Sequence, residues 1–415
     1  MDRWYKVLRS RIVSKAVIPL LTSEASLKRS IRRHLRRLGL RSTNGAVDTA
    51  LLTKDEIREL HRPQRVEKLA ARSRLIESAD EFAPYFAAGS EIVPARIQPR
   101  LELIETGSWE ADLFAFASMY WSVPTSSGYG RRLRFLCWDD SVGKLMGLIA
   151  LGDPVFNLRV RDDFVGWTVQ DRSTQLASVM DAYVLGALPP YNMLLGGKLI
   201  ASLLRTRFMA DAFRDKYSDR RSIISGKRQT GKLAMITTSS SLGRSSVYNR
   251  LRLGGVDYLT RVGATRGYGH FHIPQRIFNA MRAYLSEDDH AYANGHSFGE
   301  GANWRMRVIR EALTSLGLSP NLLRHGISRE VYVTELASNC CAYLRGEVKT
   351  LRRPGLLSLD EVAELALQRW VIPRGERDSS FASWTFADTI AAIRGVSGDS
   401  RPGVRRNGRS DAARS

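Results

Sequence analysis

The chain has 415 residues, of which 43% are hydrophobic, and its 63 Lys and Arg exceed its 42 Asp and Glu to give a formal net charge of +21. The ordinary hydrophobic share excludes a chain that is disordered throughout, and the length leaves room for about two or three domains. A positive charge of this size favours a polyanionic partner, nucleic acid first, because binding phosphates releases condensed counterions.

The cysteine count and the hydropathy pattern indicate the compartment. Three cysteines are too few for a disulfide framework or a four-thiolate zinc site, which favours a reducing environment. The longest apolar stretch, Met193–Leu204, is interrupted by a lysine and a serine and falls short of the roughly 20 residues that span a bilayer. The N-terminus also lacks the apolar core of a signal peptide. We expect a soluble cytoplasmic protein with no membrane partner.

Residues 1–98 are predicted to form a basic helical region. The segment Leu27–Arg41 holds seven Lys or Arg and no acidic residue, and its apolar residues recur at helical spacing. One stripe of this helix is therefore apolar and the remainder cationic, which suits contact with phosphates; an ordinary solvated helix face is the alternative. The candidate nucleic-acid-binding residues are Lys28, Arg29, Arg32, Arg33, Arg36, Arg37 and Arg41.

A second helical pattern covers Thr53–Ile76. Thr53 and Glu56 fit a capping box, and Pro63 is expected to kink or split the helix. The segment Glu91–Arg100 carries two prolines and is predicted to link this helical region to the next region of the chain.

Residues 99–274 change to short strands separated by glycine turns. Two of the strands flank residues 139–143, a good hairpin signal. The predicted strands are Arg134–Trp138, Lys144–Gly152, Phe164–Val169, Ser178–Leu188, Leu233–Ser239, Val256–Val262 and Tyr268–Ile273, with helices at Leu194–Phe208 and Ser245–Arg252. This order predicts an α/β (α+β) fold whose central mixed sheet is flanked by helical N-terminal and C-terminal regions.

The pattern returns to helix over residues 275–394. The predicted helices are Gln275–Leu285, Trp304–Leu316, Glu330–Leu344 and Ser358–Gln368. Residues 395–415 are rich in Arg, Gly and Ser with almost no apolar content, and we predict a disordered basic tail. The sequence thus predicts four regions, with boundaries after residues 98, 274 and 394.

A glycine pair lies where a predicted strand leads through two prolines into a predicted helix. Backbone N–H groups exposed at such a turn attract phosphate, because the unpaired donors and the helix dipole point the same way. The alternative is that the glycines only permit close packing of helix on sheet. The candidate cofactor-binding residues here are Tyr191, Asn192, Gly196, Gly197 and Lys198.

A serine-rich segment, SSSLGRSSVY, follows the next predicted strand, at the edge where layered sheets bind ligands. Arg244 and Ser245 are candidates for contact with an anionic ligand, although helix capping explains at least one of the serines. If the site is catalytic, Tyr248 is the proposed proton donor and Asp181 or Tyr183 orients the nucleophile.

Two other motifs are interpreted as structural. The loop Gly226–Lys232 has the spacing of a phosphate-binding loop, but Leu233 stands where a Ser or Thr should meet magnesium. His270 and His272 lie on one face of a predicted strand without a third metal ligand nearby. We therefore predict no metal site.

Several consecutive stretches of the chain carry a family resemblance. They are Asn157–Trp167, Met180–Leu199, Ser222–Lys227, Thr238–Leu251, Gly267–Pro274, Asn303–Leu313 and Leu322–Val333. In order and spacing they resemble the DruA family of Druantia anti-phage defence proteins. The resemblance implies a bacterial defence role with other Druantia subunits as partners, including a large helicase-like component. With the basic charge, it favours nucleic acid, and DNA over RNA, as a further partner.

The same family resemblance, combined with the order of elements, suggests a distant likeness to the GNAT acyltransferases. That likeness implies a GNAT-like core in which a glycine-rich loop holds coenzyme pyrophosphate and a tyrosine, here Tyr248, acts as acid. The loop departs from the GNAT pattern, because Leu194 and Leu199 occupy the positions that flank Gly197. Acyl-CoA is thus one possible cofactor, and the cofactor stays unassigned.

Three functions remain open on the sequence. The first is a nucleic-acid-sensing subunit of a Druantia system. The second is an enzyme that transfers an acyl group or modifies a base, and the third is a transposon-associated DNA-binding accessory protein. The charge fits the first and third equally well.

Overall fold

The computed structural model describes residues 23–38, 53–126, 128, 130–221, 230–287, 290, 293 and 302–395. Within these residues, strands of one mixed sheet are flanked by helices, which confirms the predicted α/β fold class. The predictions for Arg41, for most of the loop Gly226–Lys232 and for the basic tail beyond residue 395 lie outside the described residues.

The sheet runs in the order β1-β2-β3-β4-β5-β8-β7-β6. All neighbouring strands are antiparallel except β4 and β5, which are parallel. The strands are β1 Pro99–Leu103, β2 Arg132–Asp139, β3 Lys144–Gly152, β4 Val179–Ala187, β5 Met235–Ser239, β6 Leu251–Leu253, β7 Val256–Ala264 and β8 Glu330–Glu335. The predicted hairpin around residues 139–143 is confirmed as the β2–β3 turn.

Helices pack on both faces of this sheet. They are α1 Glu24–Arg37, α2 Lys54–Ala70, α3 Ser73–Glu77, α4 Ala79–Phe82, α5 Trp109–Ala117, α6 Arg159–Val165, α7 Val169–Gln175, α8 Gly196–Ser202, α9 Arg207–Tyr217, α10 Gln275–Glu287, α11 Ala302–Ser315, α12 Cys340–Leu344, α13 Leu359–Ala366, α14 Ile372–Arg377 and α15 Phe386–Arg394. The capping box of Thr53 and Glu56 begins α2 as predicted, and α2 continues unbroken through Pro63.

The sheet is buried on both faces, which explains the continuous apolar runs of its central strands. In β2, Phe135 packs into the cluster on the α8 and α9 face, while its neighbour Leu136 packs into the cluster on the α5 face. In β3, Ile149 and Leu148 divide between the same two clusters. Both layers must therefore form for the central strands to be shielded from water.

One predicted strand is wrong because local capping outweighs β-propensity. The segment Phe164–Val169 lies at the junction of two helices. Gly166, at φ 71°, ends α6 in the left-handed conformation that favours glycine. Thr168 then starts α7 with a capping box that includes Asp171.

The predicted helices at Leu194–Phe208 and Ser245–Arg252 are also revised. The first is divided into α8 and α9, since Thr206 caps the start of α9. The second is a series of turns, in which Ser245 Oγ accepts the backbone N–H groups of Val247 and Tyr248, followed by β6.

Two predictions near the C-terminal part of the sheet are wrong. Tyr268–Ile273 is no strand: Tyr268 makes an isolated bridge to Arg324, and the Ile273 N–H closes a turn on the His270 carbonyl. The first half of the predicted helix Glu330–Leu344 is strand β8, because its alternating β-branched side chains fill the gap between β5 and β7. The sheet therefore takes a strand from beyond residue 274, and the four predicted regions stay a prediction.

The helices α1, α10 and α11 form a bundle with its own core. Leu27, Ile31 and Leu35, the predicted apolar stripe of α1, are buried in it. The partners of this stripe include Ile277, Phe278, Met281, Val308, Ile309 and Leu313. The prediction of an amphipathic basic helix is thus confirmed for residues 24–37.

A cluster of histidines, of which His61, His272 and His325 are buried, joins the bundle to α2 and the sheet. His34 of α1 donates to the carbonyl of His272 (2.7 Å), and His272 donates to the carbonyl of Leu322 (2.8 Å). His61 of α2 stacks on Phe271 at 4.0 Å between ring centroids. The imidazole of His325 meets the same Phe271 ring edge-on at 4.7 Å.

Burial keeps the imidazoles of His61, His272 and His325 neutral by lowering their pKa values. Burial, with the nearby charge of Arg329, lowers the pKa of His61 to about 4 and that of His325 to about 3. Burial also lowers the pKa of His272 to about 4. A proton on any of these rings would place a positive charge beside Arg329 or a neighbouring imidazole. No carboxylate of the described residues counteracts the lowering of the three pKa values.

We expect the protein to lose stability as the pH falls from about 6.5 toward about 4. The unfolded chain binds protons on these histidines below about pH 6.5, whereas the native chain does not bind them until the lowered pKa values are reached. Each histidine contributes at most about 1.4 kcal/mol per pH unit in this window. Urea unfolding across the window measures the slope. The substitution His61→Phe keeps the stacking ring and removes one titrating group, so the dependence of unfolding free energy on pH should become less steep. An equal slope in both proteins would contradict the assignment of this pH dependence to the buried histidines.

Candidate functional site

The parallel strands β4 and β5 are paired at only three positions, Val179 with Met235, Met180 with Ile236 and Asp181 with Thr237. One more hydrogen bond lies beyond them, from Thr238 Oγ1 to the Ala182 carbonyl at 2.9 Å. Past this bond a cleft of about 700 Å³ lies between the rest of β4 and the chain after β5. The cleft exists because the pairing of the two strands stops after these few residues.

The lining of the cleft is strongly cationic. Among the described residues that line it, Asp181 is the only carboxylate. The cationic residues of the lining are Lys54 and Arg58 of α2, Lys198 of α8, Arg244 of the turn after β5, and Arg329 just before β8. An adjoining recess of about 480 Å³ shares three of these and adds Arg250.

Aromatic side chains form part of the wall. Tyr120 and Trp121 come from the segment after α5, and Tyr183 comes from β4. Trp121 lies so close to β4 that a Cβ at Gly186 would be 3.2 Å from its Cζ2 atom. The lining of the cleft therefore combines flat rings with cations.

Asp181 lies at the closed end, where β4 and β5 still pair. Its carboxylate accepts a hydrogen bond from Thr237 Oγ1 at 2.6 Å. Burial raises the pKa of Asp181, although the Thr237 hydrogen bond and the charge of Arg161 act in the opposite direction. A carboxyl group in this position binds a proton more readily than one in water, which suits general acid–base chemistry.

The side chain of Tyr248 reaches across the cleft from the chain after β5 to β4. It donates to the carbonyl of Leu185 in β4 at 2.9 Å, and its ring meets Tyr332 edge-on. Burial raises the pKa of Tyr248, and burial also raises that of Tyr183. Both predicted catalytic tyrosines thus line the cleft with Asp181, each in its protonated form.

The predicted phosphate-binding turn is filled by protein. The Gly196 N–H donates to the Tyr191 carbonyl and the Lys198 N–H donates to the Leu195 carbonyl, each at 2.9 Å. A Cβ at Gly197 would meet the side chain of Val247 at 3.4 Å. The amides of Gly196 and Lys198 are therefore engaged within the chain, whereas Gly197 contributes to the lining of the cleft. The packing interpretation fits the structure at Gly196.

The other candidate binding residues are divided between the core and the cleft. Tyr191 is buried outside the cleft and donates to Asp139; burial and the charge of Asp139 raise its pKa. Asn192 lines the cleft and donates to the Tyr120 hydroxyl at 3.1 Å. Lys198 also lines it, but its Nζ donates to the carbonyls of Val247 and Asn249.

Arg244 and Ser245 both line the cleft, but they differ in how far their polar groups are hydrogen-bonded within the chain. The Arg244 side chain is exposed at the cleft rim. Ser245 caps its own turn, and its N–H donates to Glu330 at 3.3 Å. Arg244 is therefore the predicted anion contact that stays available to a ligand.

The basic residues of α1 lie on the solvent side of that helix. Lys28 is partly exposed and forms an ion pair with Glu24 one turn earlier. The five arginines that follow it in the helix are exposed: Arg29, Arg32, Arg33, Arg36 and Arg37. Their contact with nucleic acid stays a prediction.

Sequence reasoning missed Lys54, Arg58, Trp121 and Arg329 as cleft residues. The capping box at Thr53 placed Lys54 in the first turn of a helix, but only the tertiary structure brings that turn to β4. Arg329 lies in a segment that pattern analysis assigned to a helix boundary, and no local signal marks its burial.

No helix of the described residues is long and apolar enough to cross a membrane. Within the same residues, no group of three or more His, Cys, Asp or Glu side chains is arranged to hold a metal ion.

The comparisons with known proteins agree with each other. A family model described as Druantia protein DruA matches residues 51–346. A protein of Escherichia coli (strain UMEA 4076-1), named Druantia protein DruA, is 50% identical over 379 residues, which cover 91% of this chain and 94% of that protein. No solved structure matches, so the GNAT-like core remains a prediction.

The filled turn predicts a contrast between its two glycines. A Cβ at Gly196 would lie 2.6 Å from the Tyr191 carbonyl oxygen, so Gly196→Ala should cost about 1–3 kcal/mol through a forced backbone shift. Gly197→Ala meets only the two methyl groups of Val247, at 3.4 and 3.6 Å, and should change stability by less than about 0.5 kcal/mol. Urea unfolding of both variants checks this; equal losses would mean that Gly197 is packed as tightly as Gly196.

Proposed function

The chain belongs to the DruA family of Druantia proteins, and we propose that, as a component of such an anti-phage defence system, it is the subunit that binds nucleic acid. We propose DNA rather than RNA as the polymer, and other Druantia subunits, including a helicase-like component, as its partners. The net charge of +21 supports a polyanionic partner.

The observation that carries this proposal is the exposed arginine face of α1. Five arginines occupy the outer side of one helix, and the inner side is buried in the bundle with α10 and α11. Because the helix is anchored, the arginines are presented together without the conformational cost of ordering a free segment. Arginine also suits phosphate oxygens, since its planar fork donates two hydrogen bonds at once.

Replacing Arg32, Arg33, Arg36 and Arg37 by Gln should weaken binding to duplex DNA and make it less sensitive to salt. The slope of log affinity against log salt should fall by about 0.9 for each phosphate that the protein no longer neutralises. Fluorescence anisotropy over a salt series measures both quantities, with RNA of equal length as competitor.

The matched control removes four exposed arginines from other elements, Arg159, Arg252, Arg377 and Arg394. We expect it to keep the steep slope of the unmodified protein. If the two quadruple variants bind alike, charge in general and not α1 determines affinity, and the proposal is contradicted.

A second candidate function is an enzyme that modifies a base. Its support is the position of Asp181, Tyr183 and Tyr248 in one cleft, with the pKa of Asp181 raised by burial. The backbone N–H groups of Gly196 and Lys198 are hydrogen-bonded within the chain, so they are not available to bind a coenzyme pyrophosphate. This favours base modification over acyl transfer.

For this second function, Tyr248→Phe should abolish protection against phage, while Tyr191→Phe, outside the cleft, should keep it. Mass spectrometry of nucleosides and proteins from cells with and without the gene tests for a product. No mass difference, together with full protection by Tyr248→Phe, would exclude the enzyme.

A further inference from the structure

We propose that the cleft between β4 and β5 is a nucleotide pocket, in which Arg329 and Arg244 hold phosphate and Trp121 and Tyr183 contact the base. The inference rests on the proposed nucleic-acid binding and deepens it, because it assigns a specific pocket in addition to the surface of α1.

Arg329 is the strongest reason to expect an anion. Its side chain is mostly buried, lines the cleft, and forms no ion pair with a carboxylate of the described residues. Within the described residues, its buried Nε atom has no hydrogen-bond partner, and its one side-chain contact of hydrogen-bond length joins Nη2 to His61 Nε2 at 3.3 Å. A buried cation without a counter-charge is costly, so the missing charge is expected from a ligand.

The groups around Arg329 do not supply that charge. The imidazoles of His61 and His325 are neutral, since burial and Arg329 itself lower their pKa values. The guanidinium lies 5.7 Å from the centre of the Phe271 ring, which offers a weak cation–π contact only. The backbone of Arg329 is fixed by Thr265, the residue just beyond β7: its N–H donates to Thr265 Oγ1, and its carbonyl accepts the Thr265 N–H.

The remainder of the lining selects among anions. Lys54, Arg58 and Arg244 extend the positive lining beyond Arg329, while Trp121 and Tyr183 supply aromatic rings. A volume of about 700 Å³ is in the range of small-molecule sites. Phosphate alone gains nothing from aromatic walls, whereas a nucleotide gains from both the cations and base–aromatic stacking.

The adjoining recess favours a nucleotide that belongs to a strand. It carries Arg250 and Asn249 beyond the shared Lys54, Lys198 and Arg244, so the positive lining continues past one nucleotide. A free nucleotide would leave that recess without a ligand. We therefore assign the pocket to a terminal or unstacked nucleotide of a nucleic-acid strand, with the free nucleotide as the second source of the same chemistry.

The test measures binding of a labelled short oligothymidylate, with a deoxynucleoside monophosphate and inorganic phosphate as competitors. Arg329→Gln and Arg244→Gln should each lower affinity about tenfold, as expected when a charge-assisted hydrogen bond is removed. Trp121→Ala should do the same by removing the stacking surface. The matched control is Arg62→Gln: Arg62 is an exposed arginine of α2, one turn beyond Arg58, that does not line the cleft, and its replacement should leave affinity unchanged.

If the Arg329→Gln chain fails to fold, the Trp121→Ala variant and the Arg244→Gln variant, which changes an exposed side chain, keep the test decisive. Competition by the free monophosphate at the concentration of the oligothymidylate would assign the pocket to free nucleotides. Phosphate competing as well as the monophosphate, or unchanged affinity in the Arg244 and Trp121 variants, would overturn the pocket.

The two proposals fail separately. Loss of duplex binding on removing the α1 arginines tests the proposed function, and those variants should still bind the short oligothymidylate. If the cleft variants bind it like the unmodified protein while the α1 variant loses duplex DNA, the nucleotide pocket is wrong and the nucleic-acid function stands.

Discussion

The junction of β4 and β5 is the constraint on which the sheet and its cleft both depend. Strands β1 to β4 form one antiparallel part and β5, β8, β7 and β6 form another, and three parallel residue pairs join them. The hydroxyls of Thr237 and Thr238 reinforce this short junction by bonding to Asp181 and to the Ala182 carbonyl. A longer ladder would close the cleft, and a shorter one would leave the two parts of the sheet unconnected.

Patterns local in the sequence predicted the local structure well. The 3.6-residue stripe of Leu27, Ile31 and Leu35 identified α1, and Thr53 with Glu56 identified the start of α2. The cleft residues Arg244 and Tyr248 were found because they follow the carboxyl end of a predicted strand, where layered sheets bind ligands. Each of these inferences needed only a period, a cap or a strand end.

The rest required knowledge of contacts between distant segments. β8 is a strand because β5 and β7 leave a position between them, although its sequence continues into a helical pattern. The glycine pair Gly196 and Gly197 looked open in sequence, whereas Tyr191 and Val247 fill it. Arg329 gave no local signal, since its burial results from packing of the bundle and the sheet around it.

The helix α2 belongs to two parts of the molecule at once. Its first turn supplies Lys54 to the cleft, its middle places His61 on Phe271, and its Glu67 accepts the N–H of Gln275 at the start of α10. A rotation of the bundle that contains α1 would therefore also move α2 and, with it, the cleft cations Lys54 and Arg58. If the proposed binding of nucleic acid to α1 displaced the bundle, α2 would carry that displacement to Lys54 at the cleft.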